Sequence, residues 1–375
     1  MCEVLDVSGL HLKEFQDIIP SHSNSNLQQL DFVGIDIENL PSSIGNLHKL
    51  VSLSFGVCRK LKSLPGSICS LQHLRFLYLS SCGIKELPED IGLLECLELL
   101  DLSSTEVKHL PDSICKLKHL KILDLSFCKV CRLPEEFGQI DSLNRLDLRF
   151  CKIRDIPPSI CKLKHLKELD LSGCSELEKL PENLGDWECL NTLIVIYTKI
   201  REVPSSICKL KHLKTLDLFG CSKLEKLPEN LGDLDSLNKL RVTNAKIRDV
   251  PSSICKLKHL RELNLSECYE LENLPENLGD LECLEELDLT DTSISHLPHS
   301  ISLLKGLKII GHEKSIDPER KNTNIEPTTA DALMNECQPL DFNEQMVDQA
   351  SMTRHTGAKI SNRLRNMLKF ISPIS

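Results

Sequence analysis

A proline that follows Leu, Ile or Val recurs every 23 or 24 residues along most of this chain. An L-x-x-L-x-L segment lies nine to eleven residues from each proline, as at Leu120, Leu123 and Leu125. Self-similarity at a fixed period of about 20 to 50 residues is the signature of a repeat architecture. The prolines are Pro41, Pro65, Pro88, Pro111, Pro134, Pro157, Pro181, Pro204, Pro228, Pro251, Pro275 and Pro298.

The leucine spacing predicts one short strand per repeat. The last two leucines of each segment are two residues apart, so both point to the same face of an extended chain. The proline fixes φ and favours extended backbone at the residue before it, which ends the strand side and opens a short turn. One repeat cannot bury its leucines alone, but stacked repeats can. The sequence therefore predicts an α/β repeat fold, a leucine-rich-repeat solenoid (horseshoe) with a concave parallel β-sheet and short helical or irregular convex turns.

A column of small polar residues follows the predicted strands, at the position where many such repeats carry Asn. Small side chains with at least a weak hydrogen-bonding group suit a narrow buried column. Ile35 and Ala245 interrupt the column, so we expect the loop to be held less tightly there. Its members are Cys58, Cys82, Thr105, Cys128, Cys151, Cys174, Thr198, Cys221, Cys268 and Thr292.

A longer period of 47 residues begins at Pro157, because basic turns alternate with acidic ones. Lys209 and Lys211 lie in a basic turn, and Glu229 and Asp233 lie in the acidic turn that follows. Each exposed ion pair between such turns contributes about 0 to 1 kcal/mol. We interpret the alternation as a solvated, mutually neutralised convex face; a docking surface for a charged partner is the alternative.

The pattern divides the chain into three parts. Residues 1–26 read as a partial N-terminal repeat, 27–310 as an array of about twelve repeats, and 311–375 as a largely disordered tail. Solenoids normally carry caps, so the abrupt start suggests a fragment, a truncated gene product or a module cut from a longer chain. Residues 358–371 have apolar residues at helical spacing among basic ones. Three alternatives remain for this segment. It forms a helix that packs over the C-terminal end of the solenoid, it forms a helix that contacts a partner or a membrane surface, or it has no stable structure.

Charge and composition narrow the partners and the compartment. The net charge of -10 opposes binding to nucleic acid, which normally needs a clustered positive face. The sequence contains no run of about 18 apolar residues, the length that a membrane span needs, and its N-terminus lacks the pattern of a signal peptide. One glycosylation sequon, Asn264-Leu265-Ser266, falls in a predicted strand. We expect a protein of the cytoplasm or nucleus.

The periodic cysteines and histidines favour structural roles. Cys69, Cys115, Cys161, Cys208 and Cys255 recur on every second layer, roughly 10 Å apart by strand spacing and too far for a disulfide. The same spacing separates the histidines, too far for one metal. These histidines are His73, His119, His165, His212 and His259.

Motifs for catalysis are missing from the sequence. Cys128 and Cys131 form a lone C-x-x-C pair without a second pair at zinc-site spacing. No phosphate loop, nucleophile elbow or H-E-x-x-H motif occurs. The sequence therefore predicts a protein that is not an enzyme, with no cofactor, no metal and no catalytic residue.

The residues between the leucines predict the binding surface. An acidic column lies on the predicted solvent side of the sheet, although Asp is also common in the LDLS wording of such repeats. Its members are Asp101, Asp124, Asp147, Asp170, Asp217 and Asp288. Aromatic residues after the middle strands are a stronger signal, because exposed aromatic clusters usually mean contact. We predict a partner site formed by Phe127, Arg149, Phe150, Ile194, Ile196, Tyr197, Phe219 and Arg241, in which the arginines pair with a partner's carboxylates.

The amino-acid sequence of the repeats resembles that of a known family. The segment KIREVPSSICKLKHLKTLDLFGCSKLEKLPENLGDL is similar to the repeat domain of plant intracellular immune receptors, especially the Toll/interleukin-receptor type. The likeness covers about residues 27 to 310. It implies a module that binds a pathogen effector or a guarded host protein and restrains a nucleotide switch. The signalling and nucleotide-binding domains of such receptors are not in this sequence, so ATP or ADP binding is not implied.

Two other families share parts of the pattern. The L-P-x-x-[IL] repeats also resemble cytosolic Ras-group repeat proteins, which implies a scaffold with a small GTPase as signalling partner. Bacterial ubiquitin ligases join similar repeats to a helical domain with a catalytic cysteine. Here the only cysteine beyond the array is Cys337, in a tail too short for that domain. The oligomeric state is not indicated by the sequence.

Overall fold

The computed structural model of the chain describes residues 3–6 and 26–311. The predicted tail beyond Gly311 and the predicted helix at 358–371 lie outside the described residues. Of the predicted partial repeat at 1–26, residues 3–6 and 26 are described.

Fourteen strands form one parallel sheet in which every strand pairs with its neighbours in chain order. Equivalent residues pair across layers, so Leu123 of one strand lies in register with Leu100 and Leu146. The strands are β1 Glu3–Asp6, β2 Leu27–Val33, β3 Ser52–Gly56, β4 Phe76–Tyr78, β5 Leu99–Asp101, β6 Ile122–Asp124, β7 Arg145–Asp147, β8 Glu168–Asp170, β9 Thr192–Ile194, β10 Thr215–Asp217, β11 Lys239–Arg241, β12 Glu262–Asn264, β13 Glu286–Asp288 and β14 Lys308–Ile310.

Short 3-10 helices connect the strands, and within the described residues no longer helix occurs. In the basic turns a proline such as Pro111 precedes the helix with φ near -67°, and the turn buries an isoleucine such as Ile114 against the leucines. Helices of this kind are short because their i to i+3 hydrogen bonds have poorer geometry. The helices are Ser42–Asn46, Gly66–Ser70, Ile91–Leu93, Asp112–Lys116, Phe137–Gln139, Pro158–Lys162, Leu184–Asp186, Ser205–Lys209, Leu231–Asp233, Ser252–Lys256, Leu278–Asp280 and His299–Leu303.

The core is one continuous stack of aliphatic side chains. The leucines two residues apart, such as Leu123 and Leu125, are fully buried. Each buried leucine contributes about 1.5 to 3 kcal/mol relative to an exposed one. The repeat periodicity, the parallel sheet and the helical turns confirm the predicted fold class.

The predicted polar column is buried, apart from a half-buried Thr292. Its thiols donate to backbone carbonyls of the preceding layer: Cys128 Sγ lies 2.9 Å from the Leu102 oxygen and Cys151 Sγ 3.1 Å from the Leu125 oxygen. Ile35 and Ala245 are also buried but offer no such group. The column therefore adds a second donor to carbonyls that already accept a backbone N–H of their own turn, a role that a weak donor can fill.

The alternation of basic and acidic turns has a steric basis. The backbone N–H of Gly138, in an acidic-type turn, faces Ser159 Oγ of the following turn at 3.3 Å. A Cβ added to Gly138 would overlap the Ser159 carbonyl oxygen, and Gly232 meets Ser253 in the same way. Successive turns thus pack in close pairs that require a glycine. Ion pairs also cross between turns, as from Lys211 to Asp235 at 3.0 Å.

Replacing this glycine tests the paired packing. We expect Gly138→Ala to lower the free energy of unfolding by about 1 to 3 kcal/mol, because the two turns must move apart. Gly66→Ala is the control, since its added Cβ meets nothing within 4 Å, and it should change stability by less than about 0.5 kcal/mol. Urea denaturation followed by circular dichroism measures both. Equal midpoints for the two variants would contradict close pairing.

Burial also controls thiol chemistry. The 16 cysteines that the structure describes are all free. Burial raises the pKa of Cys69 to about 11 and that of Cys161 to about 12, so at pH 8 the reactive thiolate is scarce. By contrast, Cys96, Cys131 and Cys283 are exposed.

Alkylation of the native protein at pH 8 should therefore discriminate among the described cysteines. We expect iodoacetamide to modify Cys96, Cys131 and Cys283 within minutes, while Cys69 and Cys161 stay unmodified until urea unfolds the chain. Peptide mass spectrometry reads each site separately. Rapid modification of Cys161 in the native state would show that the turns open freely.

Candidate partner-binding surface

Each strand from β2 to β14 is followed by a residue with left-handed backbone. Phe127, Phe150 and Tyr197 have φ values of 60°, 57° and 53°, and Val57, Ser81 and other residues have similar values at the same position. This geometry lets the Phe127 N–H donate to the Arg149 carbonyl of the next layer, at 2.6 Å. Left-handed backbone costs an L-residue about 1 to 2 kcal/mol. Because the repeats share it, the strain belongs to the repeat and does not by itself mark a site.

The predicted aromatic residues meet in two pairs. The rings of Phe127 and Phe150 stack with centroids 4.7 Å apart and planes 15° apart. Tyr197 and Phe219 meet edge to face, with centroids 5.1 Å apart. Phe127 is 46% exposed and the others are half-buried. We call Phe127, Phe150, Tyr197 and Phe219 the aromatic edge.

Two glycines make room for these rings. Gly173 and Gly220 occupy the left-handed position in the layers after Phe150 and Tyr197, with φ of 71° and 69°. A Cβ on Gly173 would lie 2.5 Å from Cδ1 of Phe150, and one on Gly220 would lie 2.5 Å from Cε1 of Tyr197. Each ring therefore lies flat on the glycine of the next layer.

The predicted arginines flank the aromatic edge but are held within the protein. Arg149 donates from Nε and Nη2 to both oxygens of Asp147, at 2.9 and 2.7 Å. Arg241 pairs with Asp217 at 3.0 Å and lies over the Phe219 ring, 5.6 Å from its centroid. Arg241 thus contacts a ring of the aromatic edge, and both arginines already have carboxylate partners.

The isoleucines of the predicted site lie beside Tyr197. Ile194 ends β9 between Asp170 and Asp217 in register, and both Ile194 and Ile196 are half-buried. The structure therefore brings the predicted residues together in two groups. One comprises Phe127, Arg149 and Phe150, the other Ile194, Ile196, Tyr197, Phe219 and Arg241, and the layer of Gly173 lies between them.

The predicted acidic column is not the open solvent-side surface that the sequence suggested. Asp101, Asp124, Asp147 and Asp217 are buried, whereas Asp170 and Asp288 are half-buried. Each carboxylate turns back to accept the N–H two residues further on, as Asp124 does from Ser126 at 2.9 Å. Burial raises the pKa of Asp170, and hydrogen bonds from Ser172 oppose the rise. The column stabilises the turn after each strand.

The described residues form no cluster of side chains that indicates metal binding or catalysis. No group of three or more His, Cys, Asp or Glu side chains there could hold a metal. The repeated histidines are exposed, and in the C-x-x-C pair Cys128 is buried while Cys131 is exposed. Charged clefts of about 690 and 820 Å³ recur beside Pro157 and Pro251, so they belong to the repeat and do not mark a single site.

Three further exposed residues, not predicted from the sequence, share one position in the repeat. Lys152 and Lys199 follow Phe150 and Tyr197 by two residues and are exposed. Tyr269 is 61% exposed and follows the left-handed Glu267 by two residues. Their place two residues after a left-handed position is the signal that could have identified them.

Comparison with known proteins agrees with this architecture. Four overlapping segments, residues 58–148, 112–178, 158–250 and 248–319, match the leucine-rich repeat region family. The chain is a leucine-rich-repeat solenoid and belongs to this family. Such repeats generally form non-catalytic scaffolds for protein interaction. In the described residues, no helix combines the length and apolar character that a bilayer crossing requires.

The most similar curated proteins include plant disease resistance proteins, which confirms the family resemblance. Disease resistance protein RPS4B of Arabidopsis thaliana is 39% identical over 80 residues, covering 21% of this chain and 6% of that protein. Protein SUPPRESSOR OF npr1-1, CONSTITUTIVE 1 of the same species is 36% identical over 106 residues, covering 28% and 7%. The matches therefore span less than a tenth of those relatives.

Solved structures share the fold over most of the chain. A leucine-rich-repeat protein of Leptospira interrogans superposes with a TM-score of 0.59 at 27% identity, over 82% of this chain and 89% of that one. The ectodomain of the Arabidopsis thaliana receptor kinase GASSHO1/SCHENGEN3 gives a TM-score of 0.55 at 24% identity, over 82% and 46%. The second likeness shows the fold alone.

Gly173 allows a test of how the rings are held. We expect Gly173→Ala to destabilise the protein more than Gly34→Ala does, because both positions have left-handed φ, near 70°, but an added Cβ at Gly34 meets nothing within 4 Å. Backbone strain of about 1 kcal/mol is common to both. The difference in unfolding free energy isolates the contact with Phe150. Equal losses would mean that the ring moves aside without cost.

Proposed function

We propose that this chain is a recognition module of plant innate immunity that binds a pathogen effector or a guarded host protein in the cytoplasm or nucleus. The similarity to plant disease resistance proteins supports the proposed role in plant innate immunity. The aromatic edge supports the binding surface and is the observation that carries the proposal. We also propose residues 27–310 as the repeat array and residues 311–375 as a separate tail.

The physical properties of the aromatic edge suit recognition. Aromatic rings supply large contact areas and are enriched among residues that dominate binding energy. Here the rings lose little further freedom on binding, because Gly173 and Gly220 lie against them and Phe150 stacks on Phe127. Preorganisation of this kind lowers the entropy lost in complex formation. Arg149 and Arg241 contribute by holding the surface in place.

Alanine substitution of three rings tests the proposal. The triple variant Phe150→Ala, Tyr197→Ala, Phe219→Ala should weaken binding to a cognate protein by at least about tenfold, which corresponds to 1.4 kcal/mol. Biolayer interferometry against a panel of purified pathogen effectors and host immune proteins measures the affinities, with circular dichroism to verify folding.

The control removes exposed leucines from two turns. Leu93 and Leu303 are 49% and 68% exposed on 3-10 helices. The variant Leu93→Ala, Leu303→Ala should bind the same partners with less than a twofold change. A cognate partner whose affinity survives the triple ring variant would exclude the aromatic edge as the recognition surface.

A further inference from the structure

A lysine stands beside a ring in two equivalent repeats of the aromatic edge. Phe150 and Lys152 are separated by the buried Cys151, and Tyr197 and Lys199 are separated by the buried Thr198. Because the middle residue is buried and the residues on either side of it are not, ring and lysine lie two residues apart on the surface that follows each strand. Each ring lies on a glycine of the next layer. We call the pairs Phe150 with Lys152 and Tyr197 with Lys199 the two half-sites.

The two lysines differ from other basic residues nearby. Lys129, beside Phe127, forms an ion pair with Glu106, and Arg154 pairs with Glu176 at 2.5 Å. Among the described residues, Lys152 and Lys199 have no ion-pair partner and are exposed. Their ammonium groups are therefore available to an external carboxylate.

Local charge at the half-sites is positive although the chain is acidic. Arg154 lowers the pKa of the Glu176 carboxyl most strongly, and Lys152 and Lys199 add to the effect. Three cations thus act on one carboxylate. The acidic residues Asp155 and Glu202 lie three residues beyond the lysines, past a buried isoleucine in each repeat. Glu176 is thus already paired with Arg154, and the two lysines remain for external carboxylates.

The spacing of the half-sites sets the form of ligand that can reach both. They follow β7 and β9, which are separated by one intervening strand. At about 4.8 Å between neighbouring strands, the half-sites are roughly 10 Å apart. Three residues of extended chain span about 10 Å. A segment in the extended polyproline II conformation, which returns its side chains to the same face every three residues over about 9 Å, would therefore match both half-sites with acidic and apolar side chains at every third residue.

We propose that the two half-sites bind an extended, acidic and partly apolar segment of a partner protein. At each half-site the ring contacts an apolar side chain, and the lysine pairs with a carboxylate. This inference rests on the proposed function and specifies the chemistry of its partner. A single-stranded nucleic acid also combines stacking groups with negative charge, but it carries a charge at every nucleotide, so the net charge of -10 opposes it more strongly than a segment in which apolar residues separate the carboxylates.

Charge reversal tests the half-sites with a defined probe. The probe is a fluorescein-labelled peptide that repeats Asp-Asp-Leu four times, and its lysine counterpart, which repeats Lys-Lys-Leu, controls for charge. We expect the acidic peptide to bind the full chain measurably, and Lys152→Glu with Lys199→Glu to weaken that binding at least about tenfold in fluorescence anisotropy. The lysine peptide should bind more weakly than the acidic one.

Lys162→Glu with Lys209→Glu is the matched control. These lysines are also 47 residues apart and exposed, but they lie on 3-10 helices. This variant has the same net charge as the half-site variant and should change peptide affinity by less than twofold. Equal weakening by both variants would overturn the inference, because the effect would then come from overall charge. Tighter binding of a twelve-nucleotide single strand than of the acidic peptide would overturn it too.

The two proposals can fail separately. If cognate proteins lose affinity with the triple ring variant but not with the lysine reversal, the acidic-segment inference is wrong while the recognition surface stands. If the acidic peptide binds through the lysines but cognate proteins ignore the ring variant, the proposed recognition surface is wrong. Lysine-dependent loss for both peptide and cognate protein supports the inference.

Discussion

The inward leucines of this chain are buried mainly by the equivalent leucines of the neighbouring layers and by the apolar residues of the turns. Leu123, for example, lies in register between Leu100 and Leu146, and all three are fully buried. A strand of three residues has no other source of stability, so the free energy of burial is shared along the stack. That dependence fixes the register of the sheet, because a slip of one residue would send the leucines outward. The candidate binding surface inherits its regular spacing from this register.

The turn after each strand links the stack to the surface. Its left-handed residue donates a hydrogen bond to the next layer, and its aspartate accepts another within the turn. Since the backbone is fixed by these bonds, the side chain at the left-handed position varies without altering the fold. Serine occupies it at Ser81, glycine at Gly173 and an aromatic residue at Phe150. Aromatic residues next to glycine layers produce broad ring surfaces, whereas serines leave the edge polar.

Periodicity was sufficient to predict the main architecture. Proline spacing and paired leucines predicted the parallel sheet and its short turns, because both follow from local chain geometry. The buried polar column was also predictable, since its position in the repeat is constant. The aromatic residues of the candidate site were identified from their position after the strands, although whether they bind a partner remains a prediction. These inferences needed no knowledge of distances between layers.

Features that depend on side-chain direction or close approach were not predictable. A strand pattern shows the face from which Asp124 leaves, but not that its carboxylate returns to the Ser126 N–H. Arg149 was predicted to pair with a carboxylate of a partner protein. Instead, its Nε and Nη2 atoms both donate to the nearby carboxylate of Asp147. The alternation of basic and acidic turns was explained from the sequence by charge.

The overlap that a Cβ would cause at Gly138 or Gly232 supplies a further reason for the alternating turns. The pairing of a glycine turn with a serine turn makes two layers, not one, the smallest unit that can be inserted or removed without a clash. Unequal recombination that shifts by 47 residues would keep each glycine opposite its serine, while a shift of 23 would bring unlike partners together. A gene of this kind can therefore lengthen or shorten its repeat array in steps of a double layer.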